Sequence, residues 1–152
     1  MQVCNKQVRT ELTLAKVSYD PETNMWFLRE KYCYKDEIKQ SEVTVHKCFP
    51  FDLATIPRFF WRIVAIHELS IEATLIHDFM YESKGGRQTS VDGEKILGSI
   101  EPIGTLYSRK DADDLFLRIM EQAGVRKWRR YLAYIGVRLF GRLFWKPDEE
   151  GG

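Results

Sequence analysis

His77, Asp78 and Tyr81 lie within one short run, and Asp113 interrupts an otherwise apolar pattern further along the chain. At about 100° per residue, a helix through residues 70–81 places Ser70, Thr74, His77 and Tyr81 within roughly a 60° arc. That arc borders the apolar side formed by Ala73, Ile76 and Met80. Asp78 projects about 100° away from His77, so a cation held by its carboxylate would sit beside the imidazole rather than on it. Such an arrangement suits a metal next to a general base. On a second helix, from Arg109 to Ala123, the inward arc is Ala112, Leu115, Phe116, Ile119, Met120 and Ala123, and the wet side is Asp111, Asp114, Arg118, Glu121 and Gln122. Asp113 falls between Met120 and Leu117, facing inward. A carboxylate there needs a partner, because leaving it unpaired costs several kcal/mol. His77 and Tyr81 supply one if the two helices pack antiparallel. An imidazole held by a carboxylate is fixed in one tautomer and becomes a better base. Spacing alone therefore leaves two readings open: a base that activates water or a hydroxyl, and a buried polar network that locks two helices together.

Other chemistry is weaker. His67-Glu68 begins like the zinc motif HExxH, but Ile71 stands where the second histidine belongs. There is no GxSxG elbow, Walker loop or GxGxxG, and Gly85-Gly86 reads as a turn. His46 alternates with strand residues and reads as structural. Cys4, Cys33 and Cys48 show no CxxC spacing, which points to idle thiols rather than to a disulfide framework or a zinc site.

The elements that must hold these groups follow from pattern. A chain of 152 residues, 44% hydrophobic and 30% charged, builds one core, so residues 1–152 are read as a single domain. Thr10–Leu14 and Asn24–Leu28 are β-prone runs joined by the turn-forming Asp20-Pro21-Glu22-Thr23-Asn24, and Tyr32–Tyr34 and Val43–His46 add one or two strands. Pro57 suits the start of a short helix. Ser70 caps a helix to about Tyr81, Ser108 and Asp111 form a capping box for a helix ending near Gly124, and a last helix spans about Arg126 to Phe144. The fold class is α+β: an N-terminal antiparallel β-meander (residues 1–50) followed by a bundle of three to four helices (51–146). Residues 83–107 form a glycine-rich surface excursion with one short hairpin, and 147–152 a flexible tail.

Residues 126–152 carry seven basic and three acidic side chains, against 16 and 19 in residues 1–125. On the last helix Trp128, Tyr131, Leu132, Ile135, Leu139 and Leu143 follow a 3-4 spacing that predicts a buried stripe. Arg126, Lys127, Arg129, Arg130, Arg138 and Arg142 surround it. Arg126, Arg129 and Arg130 are candidates for contact with lipid headgroups or a nucleotide phosphate, with Tyr134, Phe140, Phe144 and Trp145 adding an apolar or stacking surface. No secretory signal, membrane-spanning segment or specific nucleic-acid motif is visible, so a cytoplasmic location is expected.

Two resemblances rest on these residues. Val43-Thr44-Val45, Phe51-Asp52-Leu53-Ala54-Thr55-Ile56-Pro57-Arg58, Leu75-Ile76-His77-Asp78-Phe79-Met80-Tyr81 and Ser108-Arg109-Lys110-Asp111-Ala112-Asp113-Asp114-Leu115-Phe116 resemble, in order, the phage and bacterial family known as domain of unknown function 1353. That resemblance implies a fold and a phage origin, with a place in the host cytoplasm or the virion, and brings no established activity; the 82–107 excursion and the basic last helix fit an alternative, a non-enzymatic accessory protein that binds a host protein or a phosphorylated small molecule. Locally, His77-Asp78-x-x-Tyr81 followed by Ala112-Asp113-x-x-Phe116 is similar to the paired active-site helices of phospholipases A2. This second resemblance implies a hydrolase in which His77 activates water, Asp113 and Tyr81 support His77, and Asp78 binds calcium. No glycine-rich calcium loop precedes His77, so further ligands would come from Asp52, Glu68, Ser70 or the carbonyls of the 49–58 turn.

Overall fold

The Asp20–Asn24 turn forms as the sequence predicts: Asp20 accepts from the Glu22 amide and the Thr23 hydroxyl, and Asn24 takes the left-handed conformation (φ 58°) that asparagine tolerates. In the computed structural model, which describes residues 12–53, 56–57, 59–60 and 69–145, this turn joins β1 (Val17–Asp20) to β2 (Met25–Leu28). The first arm thus lies later than the expected Thr10–Leu14 run. Residues 12–14 are not strand, and residues 10 and 11 lie outside the described residues. β3 (Tyr32–Asp36) and β4 (Ser41–Val45) pair antiparallel from Tyr32 opposite Val45 to Asp36 opposite Ser41. Both alternate inward and outward side chains as a half-buried strand must. His46 lies just past β4 and is exposed.

The strands make two small sheets in place of one meander. β5 (Pro50–Phe51) pairs with β2, giving the order β1-β2-β5. The 83–107 excursion contains the expected hairpin, β6 (Ser90–Val91) with β7 (Glu94–Lys95), but its last part is no mere loop. β8 (Gly98–Glu101) adds to β4 and completes the order β3-β4-β8. Gly98 is required at that junction, since a Cβ there would collide with the Phe79 ring and the Thr44 carbonyl.

Three helices follow the capping signals: α1 (Ile71–Glu82), α2 (Arg109–Gln122) and α3 (Lys127–Phe140), the last continued by a 3-10 turn at Gly141–Leu143. Ser70 accepts from the Ala73 amide, and the capping box of Ser108 and Asp111 is complete. Residues 59 and 60 are helical, while the rest of the helix expected after Pro57, together with Ala54, Thr55, Arg58, His67, Glu68 and the 147–152 tail, lies outside the described residues. His77 stacks near Phe116 whereas Tyr81, a turn later, meets Arg109, so α1 and α2 run antiparallel. Arg130 reaches Glu121, Tyr134 reaches Asp114 and Arg138 reaches Asp113, so α3 runs antiparallel to α2.

Two expectations are overturned. On α2, Ala123 is exposed. On α3 the predicted buried stripe points outward: Trp128, Tyr131, Ile135, Leu139 and Leu143 are exposed and Leu132 is half-buried, while the small residues Ala133, Gly136 and Val137 face the core. Close approach is the reason. A Cβ on Gly136 would press on the Phe60 ring, and one on Gly141 would meet the Tyr81 hydroxyl, so α3 packs too near its neighbours to seat large side chains. Cys33 is disulfide-bonded rather than idle, its partner lying outside the described residues, and Cys48 is free and exposed.

A buried carboxylate ties the β3-β4-β8 sheet to α2. Asp36 accepts from the Ile38 amide and Arg118 at 3.0 Å each and from the Tyr107 hydroxyl at 2.6 Å, and Tyr107 also meets Ser41 at 2.7 Å. Removing a buried carboxylate strands the groups left behind, at a cost of about 3–5 kcal/mol. Asp36→Ala is therefore expected to lower unfolding free energy in urea by about that much, whereas Glu37→Ala at the exposed neighbouring position leaves it unchanged within about 0.5 kcal/mol.

Candidate functional site

The Asp113 carboxylate is where the three helices meet. His77 Nε2 lies 2.8 Å and the Tyr81 hydroxyl 2.8 Å from Oδ1, and Arg138 Nη1 lies 2.7 Å and Arg109 Nη1 3.4 Å from Oδ2. Asp113 and His77 are both fully buried. Each donor is placed by its own element. Helix α1 presents His77 and Tyr81 one turn apart on a single face. Arg109 opens α2 one turn before Asp113, the spacing at which helix side chains meet. Arg138 comes from the last turn of α3. Arg109 also donates to the carbonyls of Val137 and Arg138, satisfying backbone groups that a helix C-terminus leaves without partners.

Because a carboxylate only accepts, His77 Nε2 carries a proton, and in the uncharged form of the ring the lone pair sits on Nδ1. Nδ1 is buried and has no hydrogen-bond partner among the described residues. The ring itself is wedged between Tyr81 and Phe116, at 4.4 and 4.6 Å between centroids. Burial alone pushes the Asp113 carboxyl up, but the hydrogen bond and charge of His77, then the bonds from Tyr81 and Arg138, outweigh it and hold Asp113 below the usual carboxylate range. Burial and the Asp113 charge push the Tyr81 phenol well up, so it serves as a donor.

Asp78 does different work from its neighbour. Its Oδ2 accepts the backbone N–H groups of Asp52 at 2.8 Å and Leu53 at 2.7 Å, which pins the segment after β5 to α1. Burial pushes its carboxyl up to about 7, against the lowering field of His77 and these two hydrogen bonds. The sequence thus places His77, Tyr81 and Asp113 together, as their spacing predicts, and sets Asp78 beside Asp52 through the backbone of Asp52. Asp78 Oδ2 is thus taken up by two backbone N–H groups, and among the described residues no group of three or more His, Cys, Asp or Glu assembles around it. Arg129 stacks over Trp128, and Arg130 donates to the Val125 carbonyl and pairs with Glu121, away from His77. Arg126 is exposed.

The residues that sequence reading missed are the two arginines on Asp113. Arg138 carried no signal beyond its charge, whereas the four-residue step from Arg109 to Asp113 could have identified Arg109. A cavity of about 290 Å³ lies beside the excursion, between Phe79, Gly86, Ile96, Gly98 and Ile100, and His77 does not line it.

The family model described as protein of unknown function (DUF1353) matches residues 26–137. The chain belongs to the DUF1353 family. No curated protein and no solved structure matches it. The part shared with the DUF1353 model contains His77, Asp78, Tyr81, Arg109 and Asp113 and ends one residue before Arg138.

The two carboxylates titrate with opposite effects on stability. Asp78 ordinarily loses its proton near 3.8 but holds it in the folded DUF1353 chain to about 7, so the folded state binds more protons in that window. Its stability contribution is full below about pH 4 and is lost as pH rises to about 7, at up to about 1.4 kcal/mol per pH unit. Asp113 is lowered, so its contribution is present above the ordinary carboxylate pKa and is lost only as pH falls further. Asp78→Asn should flatten the decline in urea midpoint between about pH 4 and 7 while leaving acid unfolding below about pH 4 in place.

Proposed function

We propose that this DUF1353 protein is an ester hydrolase in which His77 Nδ1 takes the proton of a water as it attacks an acyl carbon and returns that proton to the alcohol oxygen as the ester C–O bond breaks. One observation carries the reading: a fully buried imidazole whose Nε2–H is tied to a carboxylate while Nδ1 has no partner among the described residues. A buried acceptor left unpaired costs about 1–3 kcal/mol, which a purely structural histidine would avoid. In the reaction, Asp113 holds the ring in one tautomer and stabilises the imidazolium as it forms, and Tyr81 and Arg138 keep Asp113 ionised and oriented. No step is assigned to calcium.

The full burial of His77 favours a second reading, in which the network is only a brace and the protein is a phage accessory factor that binds a host protein or an anionic ligand elsewhere. Glutamine at position 77 separates the two, because its amide still donates to Asp113 but cannot act as a base. With phospholipid vesicles and a chromogenic acyl ester as substrates, His77→Gln is expected to lower hydrolysis by about 10²–10⁴-fold while keeping the thermal midpoint close to that of the parent. Absence of ester turnover by the parent protein, or full turnover by His77→Gln, would overturn the hydrolytic reading and leave the brace.

A further inference from the structure

Helix α3 is inverted relative to an ordinary surface helix, with its small residues inside and its large apolar ones outside. Trp128 is 54% exposed, Ile135 49% and Leu139 62%, and Leu143 in the following turn is 71% exposed. With Tyr131, the α3 members of this series fall within an arc of about 80° at 100° per residue, so they form one stripe along the helix. The stretch from Val125 to Trp145 holds Arg126, Lys127, Arg129, Arg130, Arg138 and Arg142 and no acidic residue. Arg126 and Lys127 are exposed at one end of the stripe and Arg142 at the other. Arg129 lies 4.8 Å over the Trp128 ring and Arg130 5.6 Å over Tyr131, so cations border the aromatic part as well. No described helix is long and apolar enough to cross a membrane.

We propose that this face of α3 docks in the plane of an anionic lipid surface, with Trp128, Ile135 and Leu139 entering the headgroup boundary and Arg126, Lys127 and Arg142 meeting lipid phosphates. Charge decides among the occupants. A second copy of the chain on a two-fold axis would set this cationic strip against itself, and like charges across an interface repel. A nucleic acid would use the aromatics for stacking but has no use for Ile135, Leu139 and Leu143, and a convex helix offers no groove to follow its backbone. An anionic bilayer takes both the aliphatic stripe and the positive border. The proposal uses no property of His77, so it stands apart from hydrolysis.

The test is co-sedimentation of the full chain with phosphatidylcholine vesicles that contain or lack phosphatidylserine, followed also by tryptophan fluorescence. Binding and a blue shift are expected only with phosphatidylserine and should weaken with salt. Replacing Arg126, Lys127 or Arg142 by Gln should lower partitioning about fivefold each, and Ile135→Ser with Leu139→Ser should lower it at least about tenfold. Both sets should keep the parent circular dichroism, since these side chains are exposed. His77→Gln should bind as the parent does. The idea is overturned by equal pelleting with both vesicle types, by serine variants that bind like the parent, by a dimer in sedimentation velocity that Leu139→Ser dissociates, or by preference for a single-stranded oligonucleotide over vesicles.

Discussion

The rest of the helical part depends on one constraint, the need to satisfy a carboxylate that has no contact with water. Asp113 can be buried only if donors converge on both of its oxygens, and they come from all three helices. That need sets the antiparallel pairing of α1 with α2 and brings the end of α3 down onto them. Arg109 then closes the arrangement by donating at once to Asp113 and to the terminal carbonyls of α3. In a low-dielectric site each of these bonds is strong when made and expensive when lost. The helices are thus held in register by polarity as much as by the surrounding Phe79, Leu115, Phe116 and Ile119.

Close approach has a second consequence. To deliver Arg138 to Asp113, α3 must come near Tyr81 and Phe60, and Gly141 and Gly136 permit this. The face of α3 formed by Ala133, Gly136 and Val137 is then too tight for large side chains, and Trp128, Tyr131, Ile135 and Leu139 point outward. The exposed apolar stripe and the buried polar site are therefore two sides of one packing decision. Such a stripe on a surface is itself unusual for a soluble chain.

How much of this was legible in the sequence follows from the range of each interaction. The caps at Ser70 and Ser108 are local chemistry, and the helices they start are where the pattern places them. Asp113 was legible because a carboxylate on an apolar arc violates the periodicity, and His77 with Tyr81 because they share a face. The α3 stripe was misread because periodicity reports that a helix has an apolar side but not which side meets the core; Gly136 and Ala133, opposite the stripe, were the contrary signal. β5 and β8 were missed because strands of two and four residues, paired with partners distant in sequence, leave almost no local pattern. The partners of Asp78 were out of reach for another reason. Backbone amides carry no sequence signature, so nothing distinguishes a carboxylate that binds a cation from one that pins a neighbouring segment.

The asymmetry around His77 is what a purely structural account leaves unexplained. On one side of the ring, Asp113 gathers four donors from the three helices it joins. On the other, a nitrogen with a lone pair is buried with none among the described residues. Apolar side chains of similar volume would brace the helices at no greater cost, since replacing a buried ionic group by well-packed hydrophobic ones is often neutral or stabilising. A chain that instead buries a histidine and a carboxylate and brings two half-buried arginines onto them ties its helices by directed bonds, and the proposed hydrolysis uses Nδ1 of that histidine as its proton acceptor. Asp78, one residue along, is a separate tie: its carboxylate is held to the 52–53 backbone, and burial raises its carboxyl.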